Sequence, residues 1–156
     1  MSEPGVWVVE ACDPESELAL PLLAALSGTL EAITGSSGAA SFDPADVRSP
    51  GALFVVARDC DGRALGCGAF RPLEPGVAEV KRMFAVPGSR GVGSAILAHL
   101  EAQGLAGGYH IFRLETRLVN VRAVRFYERR GYRRIANFGR YAGRPEAACF
   151  EKRLVA

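Results

Sequence analysis

The stretch VPGSRGVGSAIL, residues 86–97, decides the fold of this chain. It follows a run typical of a β-strand, and its glycines and serines give way to apolar residues at helical spacing, Ile96, Leu97 and Leu100. A helix N-terminus presents unpaired N–H groups and the positive end of its dipole, and Arg90 adds a positive charge. The stretch therefore predicts a strand, a turn and a helix that together form an anion site.

The same turn lacks two common nucleotide-binding patterns. It has no Gly-Lys-Ser/Thr ending, as a P-loop requires, and no G-x-G-x-x-G run. A second segment, NVRAVRFYERRGY at residues 120–132, predicts a helix that begins at Asn120 and is closed by Gly131.

Together the two segments resemble the motifs of the GNAT superfamily, which are acetyl-CoA-dependent N-acetyltransferases. The R-x-x-G-x-G/A loop of that superfamily matches Arg90, Gly93 and Ala95. Its N-x-x-A-x-x-L-Y-x-x-x-G-F motif matches Asn120, Ala123, Phe126, Tyr127, Gly131 and Tyr132. The resemblance extends from Val6 to Leu154, and two ordered motifs are more specific than either alone.

The resemblance implies an α/β (α+β) fold with a central mixed, mostly antiparallel sheet, splayed between strands 4 and 5 and flanked by helices. The element pattern agrees, because it runs β-α-(α)-β-β-β-α-β-α-β. The 156 residues are 49% hydrophobic and 23% charged, as in an ordinary compact domain. No repeat or boundary interrupts them, so one N-acetyltransferase-like domain is expected over residues 1–156.

The N-terminal third predicts a strand, a divided helix and a loop. Val6–Val9 is a short β-rich run, and Asp13 with the proline after it forms a credible N-cap. The helical pattern of residues 17–33 contains Pro21 and Ser27-Gly28, which we expect to bend or divide it. Residues 35–51 are rich in Gly, Ser, Ala and Pro and predict a loop bordering a site.

Residues 53–70 predict a β-hairpin around an Asp-Gly turn. That turn pairs Cys60 with Arg63 and Cys67 with Val56, so the two cysteines are in the wrong register for a disulfide. The following strand, residues 77–86, carries charges on both faces. Alternation places Glu79, Lys81, Met83 and Ala85 on one face and Val80, Arg82, Phe84 and Val86 on the other.

The resemblance also implies a cofactor site. Backbone groups of Phe84, Ala85 and Val86 would hold the acetyl and pantetheine arm of acetyl-CoA, the cosubstrate, and Asn120 joins the same set. The pyrophosphate would be cradled by Arg90, Gly91, Val92, Gly93, Ser94 and Ala95. Tyr127 would stand near the sulfur and protonate the departing thiolate. Asn120 also has a simpler role as the N-cap of its helix.

Two carboxylates are candidate bases for the acceptor amine, Glu79 and Glu115. They occupy strands that should neighbour each other at the splay, and each could deprotonate the amine directly or through water. The alternative for each is a structural ion pair, with Lys81, Arg82 or Arg117 as the partner. No metal site is expected, because the four cysteines show no C-x-x-C spacing and only His99 and His110 could join them.

Charge is unevenly distributed along the chain. Residues 1–50 hold eight acidic side chains and one basic one, whereas residues 113–153 hold twelve basic and four acidic ones. The acidic third, by resemblance the acceptor lobe, favours a cationic amine of a small molecule or peptide, although a solvated surface explains it equally. The basic end fits a phosphate-rich cofactor, so neither a nucleic acid nor a membrane is an expected partner. A homodimer remains open.

Two further expectations concern localisation and a second function. Neither a secretory signal nor an apolar run long enough to cross a bilayer is visible, which favours a cytoplasmic protein. Superfamily members commonly read R-G-x-G-I-G-x-A-L-L, and here Ile96-Leu97 follow Arg90 two residues sooner. Either Arg90 begins the motif with the helix register shifted, or the loop is shortened. A shortened loop would suit a non-catalytic acyl-CoA-binding or regulatory domain.

Overall fold

A computed structural model describes residues 7–39 and 42–156. Its strands are β1 (Val8–Ala11), β2 (Leu53–Arg58), β3 (Ala64–Glu74), β4 (Val77–Ala85), β5 (Ile111–Arg117), β6 (Arg133–Ile135) and β7 (Ala147–Arg153). Its α-helices are α1 (Leu20–Thr34), α2 (Val92–Ala106) and α3 (Val121–Arg129), and Pro44–Val47 and Gly139–Tyr141 form short 3-10 helices. Val6 of the predicted first strand and residues 40 and 41 of the predicted loop lie outside the described residues.

The seven strands form one sheet in the order β1-β2-β3-β4-β5-β7-β6. All neighbours are antiparallel except β4 and β5, which are parallel and pair only from Val77–Ile111 to Glu79–Arg113. Beyond that point β4 continues to Ala85 and β5 to Arg117 without pairing to each other. The predicted mixed, mostly antiparallel sheet, splayed between its fourth and fifth strands, is confirmed.

Helices cover both faces of the sheet. The helices α2 and α3 pack on one face, where Ile96, Leu97 and Leu100 are buried, as the helical spacing predicts. The helix α1 packs on the other face, where Leu22 contacts a cluster built on β2 and β3. Within the described ranges, no helix is long and apolar enough to cross a membrane.

The first helix differs from its prediction. It is one continuous helix, α1, with Pro21 in its first turn, where a missing N–H costs nothing, so the proline starts the helix instead of bending it. Ser27 and Gly28 stay helical within it. Asp13 is not its N-cap: its carboxylate accepts from the Glu15 N–H in a preceding turn and pairs with Arg48.

The hairpin keeps its predicted inner register but not its tip. Val56 pairs with Cys67 as expected, but a bulge after Ala57 shifts the turn, so the Asp59 N–H bonds the Arg63 carbonyl at 3.0 Å. Cys60 therefore does not pair with Arg63. All four cysteines are free.

A second bulge, in β4, overturns the predicted alternation of that strand. Arg82 has φ 56°, a left-handed conformation that costs a non-glycine residue roughly 1–2 kcal/mol. The register with β3 shifts there, so Met83 and Ala85 turn toward α2 while Phe84 packs on the α1 side. Because of this extra residue, Arg82 joins Glu79 and Lys81 on the α1 face.

Two glycines test the packing of the helices. In Gly104→Ala on α2, the added Cβ would lie 2.6 Å from the Phe112 ring, so we expect a loss of about 1–3 kcal/mol. In Gly28→Ala on α1, the Cβ meets nothing within 4 Å, so the gain in helix propensity should stabilise the protein by about 0.5–1 kcal/mol. Urea unfolding of the two variants measures both, and a stabilised Gly104→Ala would contradict this packing.

Candidate active site

A cavity of about 130 Å³ opens where β4 and β5 separate. Four of the residues expected in the site line it: Glu79, Glu115, Asn120 and Tyr127. Beyond Glu79, backbone groups of β4 that point toward β5 have no partner strand, and buried groups of this kind require partners. The splay also breaches the sheet, so side chains from its two faces meet in one cavity.

Glu79 is 1% exposed and accepts hydrogen bonds from two neighbours. Arg71, opposite it on β3, places Nε and one terminal nitrogen 2.9 and 2.8 Å from Oε1. The Tyr141 hydroxyl donates to Oε2 at 3.0 Å. A buried carboxylate is costly unless paired and hydrogen-bonded, and these contacts satisfy both of its oxygens. Glu79 is therefore in an ion pair, as its structural alternative holds, but the main partner is Arg71, which is not one of the three expected cations.

Lys81 shares this buried network. It is 9% exposed, its Nζ donates to the Tyr141 hydroxyl at 3.2 Å, and it lies 3.9 Å from Glu79 Oε2. Burial lowers the pKa of Lys81, an effect that Glu79 opposes. Burial and the nearby Glu79 charge raise the pKa of Tyr141, which keeps its hydroxyl protonated as a donor. The three groups form a chain of hydrogen bonds along the cavity wall, from Lys81 to Tyr141 to Glu79.

Glu115 enters the cavity from β5 and has its own cation. Arg117 on the same strand contacts Glu115 Oε2 at 2.5 Å. The structural ion pair expected as the alternative role of Glu115 is therefore present. Burial nevertheless raises the pKa of Glu115, with Arg117 opposing the shift. A carboxylate with a raised pKa is a better proton acceptor near neutral pH than an exposed one.

Tyr127 reaches the cavity from the α3 side of the sheet. It is 8% exposed, and its ring packs edge-on against Phe126 and Tyr132. Burial raises its pKa, so the hydroxyl stays protonated. Asn120 caps α3, because its side chain accepts from the Ala123 N–H at 3.3 Å. The N-cap interpretation of Asn120 is therefore confirmed, and the residue also lines the cavity.

The predicted phosphate loop lies at the start of α2. The helix begins at Val92 after a left-handed Gly91, with no side-chain cap and no acidic residue in its first turn. Its first N–H groups consequently have no helical acceptor. Arg90 is exposed beside them, and with Val86 it borders a second cavity of about 830 Å³. The left-handed Gly91 is thus the one residue between Arg90 and the start of the helix.

The rest of the predicted cofactor set lies along β4 and the first turn of α2. Phe84 and Ala85 pair with β3 on one edge, and the Val86 N–H donates to the Leu65 carbonyl at 2.8 Å. Gly93 packs close to Phe126, where an added Cβ would lie 3.3 Å from the ring. Ser94 contacts the Arg130 guanidinium, which stacks on Phe126. These contacts fix α3 against the start of α2.

Three residues of the site are absent from the sequence-based set. Arg71 lies opposite Glu79 because a bulge between Pro72 and Glu74 shifts the register by one residue, whereas a regular hairpin closed at Pro75-Gly76 would place Arg71 opposite Val80. Lys81 appeared only as an ion-pair partner. Tyr141 follows β5 and β6 in the chain, in a segment that reads as a plain loop, and no local signal links it to Glu79. Within residues 7–39 and 42–156, no group of His, Cys, Asp and Glu side chains is arranged to hold a metal ion.

Comparison with known proteins places this geometry in a class. Residues 24–132 match the Acetyltransferase (GNAT) family. An IAA acetyltransferase from Azospirillum brasilense is 35% identical over 67% of this chain and 70% of its own. A Klebsiella pneumoniae protein assigned as an acyl-CoA N-acyltransferase superposes with a TM-score of 0.80 at 28% identity, covering 96% of this chain and 98% of that one.

An acetyltransferase from Streptococcus agalactiae shares the fold at a TM-score of 0.79 and 18% identity, covering 96% of this chain and 99% of that one. By fold and sequence the protein is a transferase. More particularly, the chain belongs to the Acetyltransferase (GNAT) family.

The raised pKa of Glu115 gives a testable pH dependence. A carboxyl with a higher pKa in the folded than in the unfolded chain contributes stability below its unfolded value, and loses that contribution as pH rises through the folded pKa. Glutamine does not titrate. We therefore expect the free energy of unfolding of Glu115→Gln, relative to the native protein, to rise from about pH 4 to about pH 7. Urea unfolding at both pH values measures this, and a relative value that falls would contradict it.

Proposed function

We propose that the protein is an N-acetyltransferase that transfers an acetyl group from acetyl-CoA to a primary amine of a small molecule or peptide by direct attack. The observation that supports this most is the meeting of Glu79, Glu115 and Tyr127 in one cavity at the splay, beside an uncapped helix N-terminus. The proposal treats residues 1–156 as one catalytic domain.

The donor site fits this cosubstrate in two respects. The backbone edge of β4 beyond Glu79 is unpaired, so an amide-bearing arm could hydrogen-bond to Phe84, Ala85 and Val86 much as a strand would. The first N–H groups of α2 and the exposed Arg90 together offer donors and positive charge to a diphosphate. In the proposal, Gly91 to Ala95 present those donors and Asn120 keeps α3 in place beside them.

Acetyl-CoA, when bound, supplies an acetyl group activated as a thioester. The transfer forms an N–C bond and breaks a C–S bond, so the amine must lose a proton and the sulfur must gain one. Glu115 or Glu79 accepts the proton of the amine, directly or through water. Tyr127 donates the proton that the sulfur gains, because its raised pKa keeps that proton in place until it is needed.

The short connection before α2 motivates the non-catalytic alternative. Five residues, 87–91, separate the splayed end of β4 from the helix if Val86, which still bonds β3, is counted with the strand. A binding or regulatory domain would bind an acyl-CoA without releasing thiol. Calorimetric titration with acetyl-CoA and with coenzyme A, followed by a thiol-release assay with amines, separates the two functions.

The phosphate loop is tested by a matched pair of arginine variants. Arg90→Ala should weaken coenzyme A binding about fivefold, as expected for one exposed cation lost from a diphosphate. Arg133→Ala removes an exposed arginine from the edge strand β6 and should change the affinity less than about twofold. Isothermal titration calorimetry measures both constants. Equal losses in the two variants would remove Arg90 from the site.

The acid role of Tyr127 is tested by a second pair. Tyr127→Phe should lower kcat at least about tenfold while acetyl-CoA affinity is kept, because general acid catalysis contributes roughly 10²–10⁴-fold. Tyr132→Phe removes a neighbouring buried hydroxyl that donates to Glu101 at 2.8 Å, and it should keep kcat. Steady-state thiol release with the best acceptor gives both values. An unchanged kcat in Tyr127→Phe would exclude the role.

A further inference from the structure

Two cations face the cavity, Lys81 and Arg82, and among the described residues neither is hydrogen-bonded to a carboxylate. Lys81 has three N–H donors, and within residues 7–39 and 42–156 Tyr141 is its one acceptor at hydrogen-bond distance. Its Nζ lies 3.9 Å from Glu79 Oε2, which is beyond a hydrogen bond. Both cations therefore retain capacity for an anionic ligand.

Each acid of the cavity wall is paired with an arginine that does not itself line the cavity. Glu79 is paired with Arg71 at 2.8 Å, and Glu115 is paired with Arg117 at 2.5 Å. Arg71 also pairs with Asp46 at 3.3 Å, so Lys81, at 3.9 Å, offsets part of the Glu79 charge. Arg82 has no carboxylate partner among the described residues, and its positive charge is left in excess.

Arg82 is held in the cavity wall by an arrangement that costs backbone strain. It occupies the left-handed position of the β4 bulge, with φ 56°. Its terminal nitrogens make long hydrogen bonds to the Ser37 carbonyl at 3.2 Å and the Ser27 hydroxyl at 3.4 Å, and Phe42 packs against the guanidinium. Its buried Nε has no acceptor in the described part of the chain. Strain of this kind is concentrated at ligand-binding sites.

We infer that the acceptor is an amine that carries its own carboxylate, a small amino acid with an apolar side chain, and that Lys81 and Arg82 bind this carboxylate. The short separation of Lys81 from Glu79 places the carboxylate only a few bonds from the amine that reacts. Leu26 and Leu30 of α1 provide the apolar wall for the side chain. The inference rests on the proposed acetyl transfer and specifies its acceptor.

The burial of the two cations supports this assignment. The charges of Lys81 and Arg82 are poorly solvated where they lie, and this burial lowers the pKa of each. A bound carboxylate would stabilise both charges by charge-assisted hydrogen bonds. A cationic acceptor, which the acidic N-terminal third favours, would instead be repelled by them.

The test compares acceptors that differ only at the carboxylate. Leucine, leucinamide and isoamylamine are assayed with the full chain and saturating acetyl-CoA, by thiol release and by product mass, and the methionine and phenylalanine series repeat the comparison. The amino acid should show kcat/KM at least about tenfold above both analogues. The amide has the less basic amine, so a preference for leucine cannot arise from a larger fraction of unprotonated amine.

Two variants test whether Arg82 is responsible for the preference for the amino acid over its amide. Arg82→Gln should raise KM for leucine about tenfold, leave KM for leucinamide within about twofold and largely retain kcat. Arg48→Gln is the matched control, because this arginine pairs with Asp13 and Glu15 away from the cavity, and it should behave as the native protein. Coenzyme A titration of each variant confirms that its donor site is folded. Calorimetry with N-acetylleucine and N-acetylleucinamide, in the presence of coenzyme A, reports carboxylate binding without turnover.

The outcomes are distinguishable. Preference for the amino acids, lost in Arg82→Gln, supports the inference. Equal or better use of the amides or amines overturns it and leaves acetyl transfer intact. Binding of acetyl-CoA with neither turnover nor binding of any carboxylate ligand also overturns it. A native protein that does not bind acetyl-CoA overturns the proposed function, and the inference with it.

Discussion

The early end of the β4–β5 pairing is the constraint on which the rest of this structure depends. Two parallel strands that paired along their full length would close the sheet and keep its two faces apart. Here the pairing stops at Glu79 and Arg113, and the strands diverge around a cavity. Glu79 and Glu115 reach that cavity from the face covered by α1, whereas Tyr127 reaches it from the face covered by α3. One interruption of hydrogen bonding thus brings groups with different acid–base properties together.

The interruption requires compensation at the point where it begins. Glu79, at the last paired position, is buried and would destabilise the fold without its partners. Arg71 from the neighbouring strand and Tyr141 from the segment before β7 donate hydrogen bonds to it, and Lys81, two residues on in the same strand, lies 3.9 Å away. The carboxylate is therefore fixed by two other parts of the chain. The same contacts stabilise the opened sheet and orient the group that lines the cavity.

Features set by short stretches of sequence were predictable. The spacing of Ile96, Leu97 and Leu100 fixes the buried face of α2, and Asn120 followed by a helical run fixes the cap of α3. The register near Cys67 follows from the alternation of its hairpin. Each of these depends on neighbours within a few turns or strand residues, and periodicity and capping carry that information.

Features set by contacts between distant segments were not predictable. Tyr141 is 62 residues from Glu79, and its segment has no periodicity that points to the cavity. The bulge at Arg82 depends on a one-residue mismatch between β3 and β4, which alternation alone does not reveal. Pro21 reads as a break within a long helical pattern because the sequence does not show that the helix begins one residue before it.

The distribution of charge shows why composition is a poor guide to the ligand of a site. In the described part of the chain, four acids of residues 1–50 are engaged by arginines outside the cavity: Glu10 by Arg58, Asp13 and Glu15 by Arg48, and Asp46 by Arg71. Their effect on an acceptor is screened by those partners and by water. Inside the cavity the charge balance is different, because Glu79 and Glu115 are each paired with an arginine. The field that a ligand meets is set by buried charges without an oppositely charged partner, and among the described residues that line this cavity Arg82 carries such a charge.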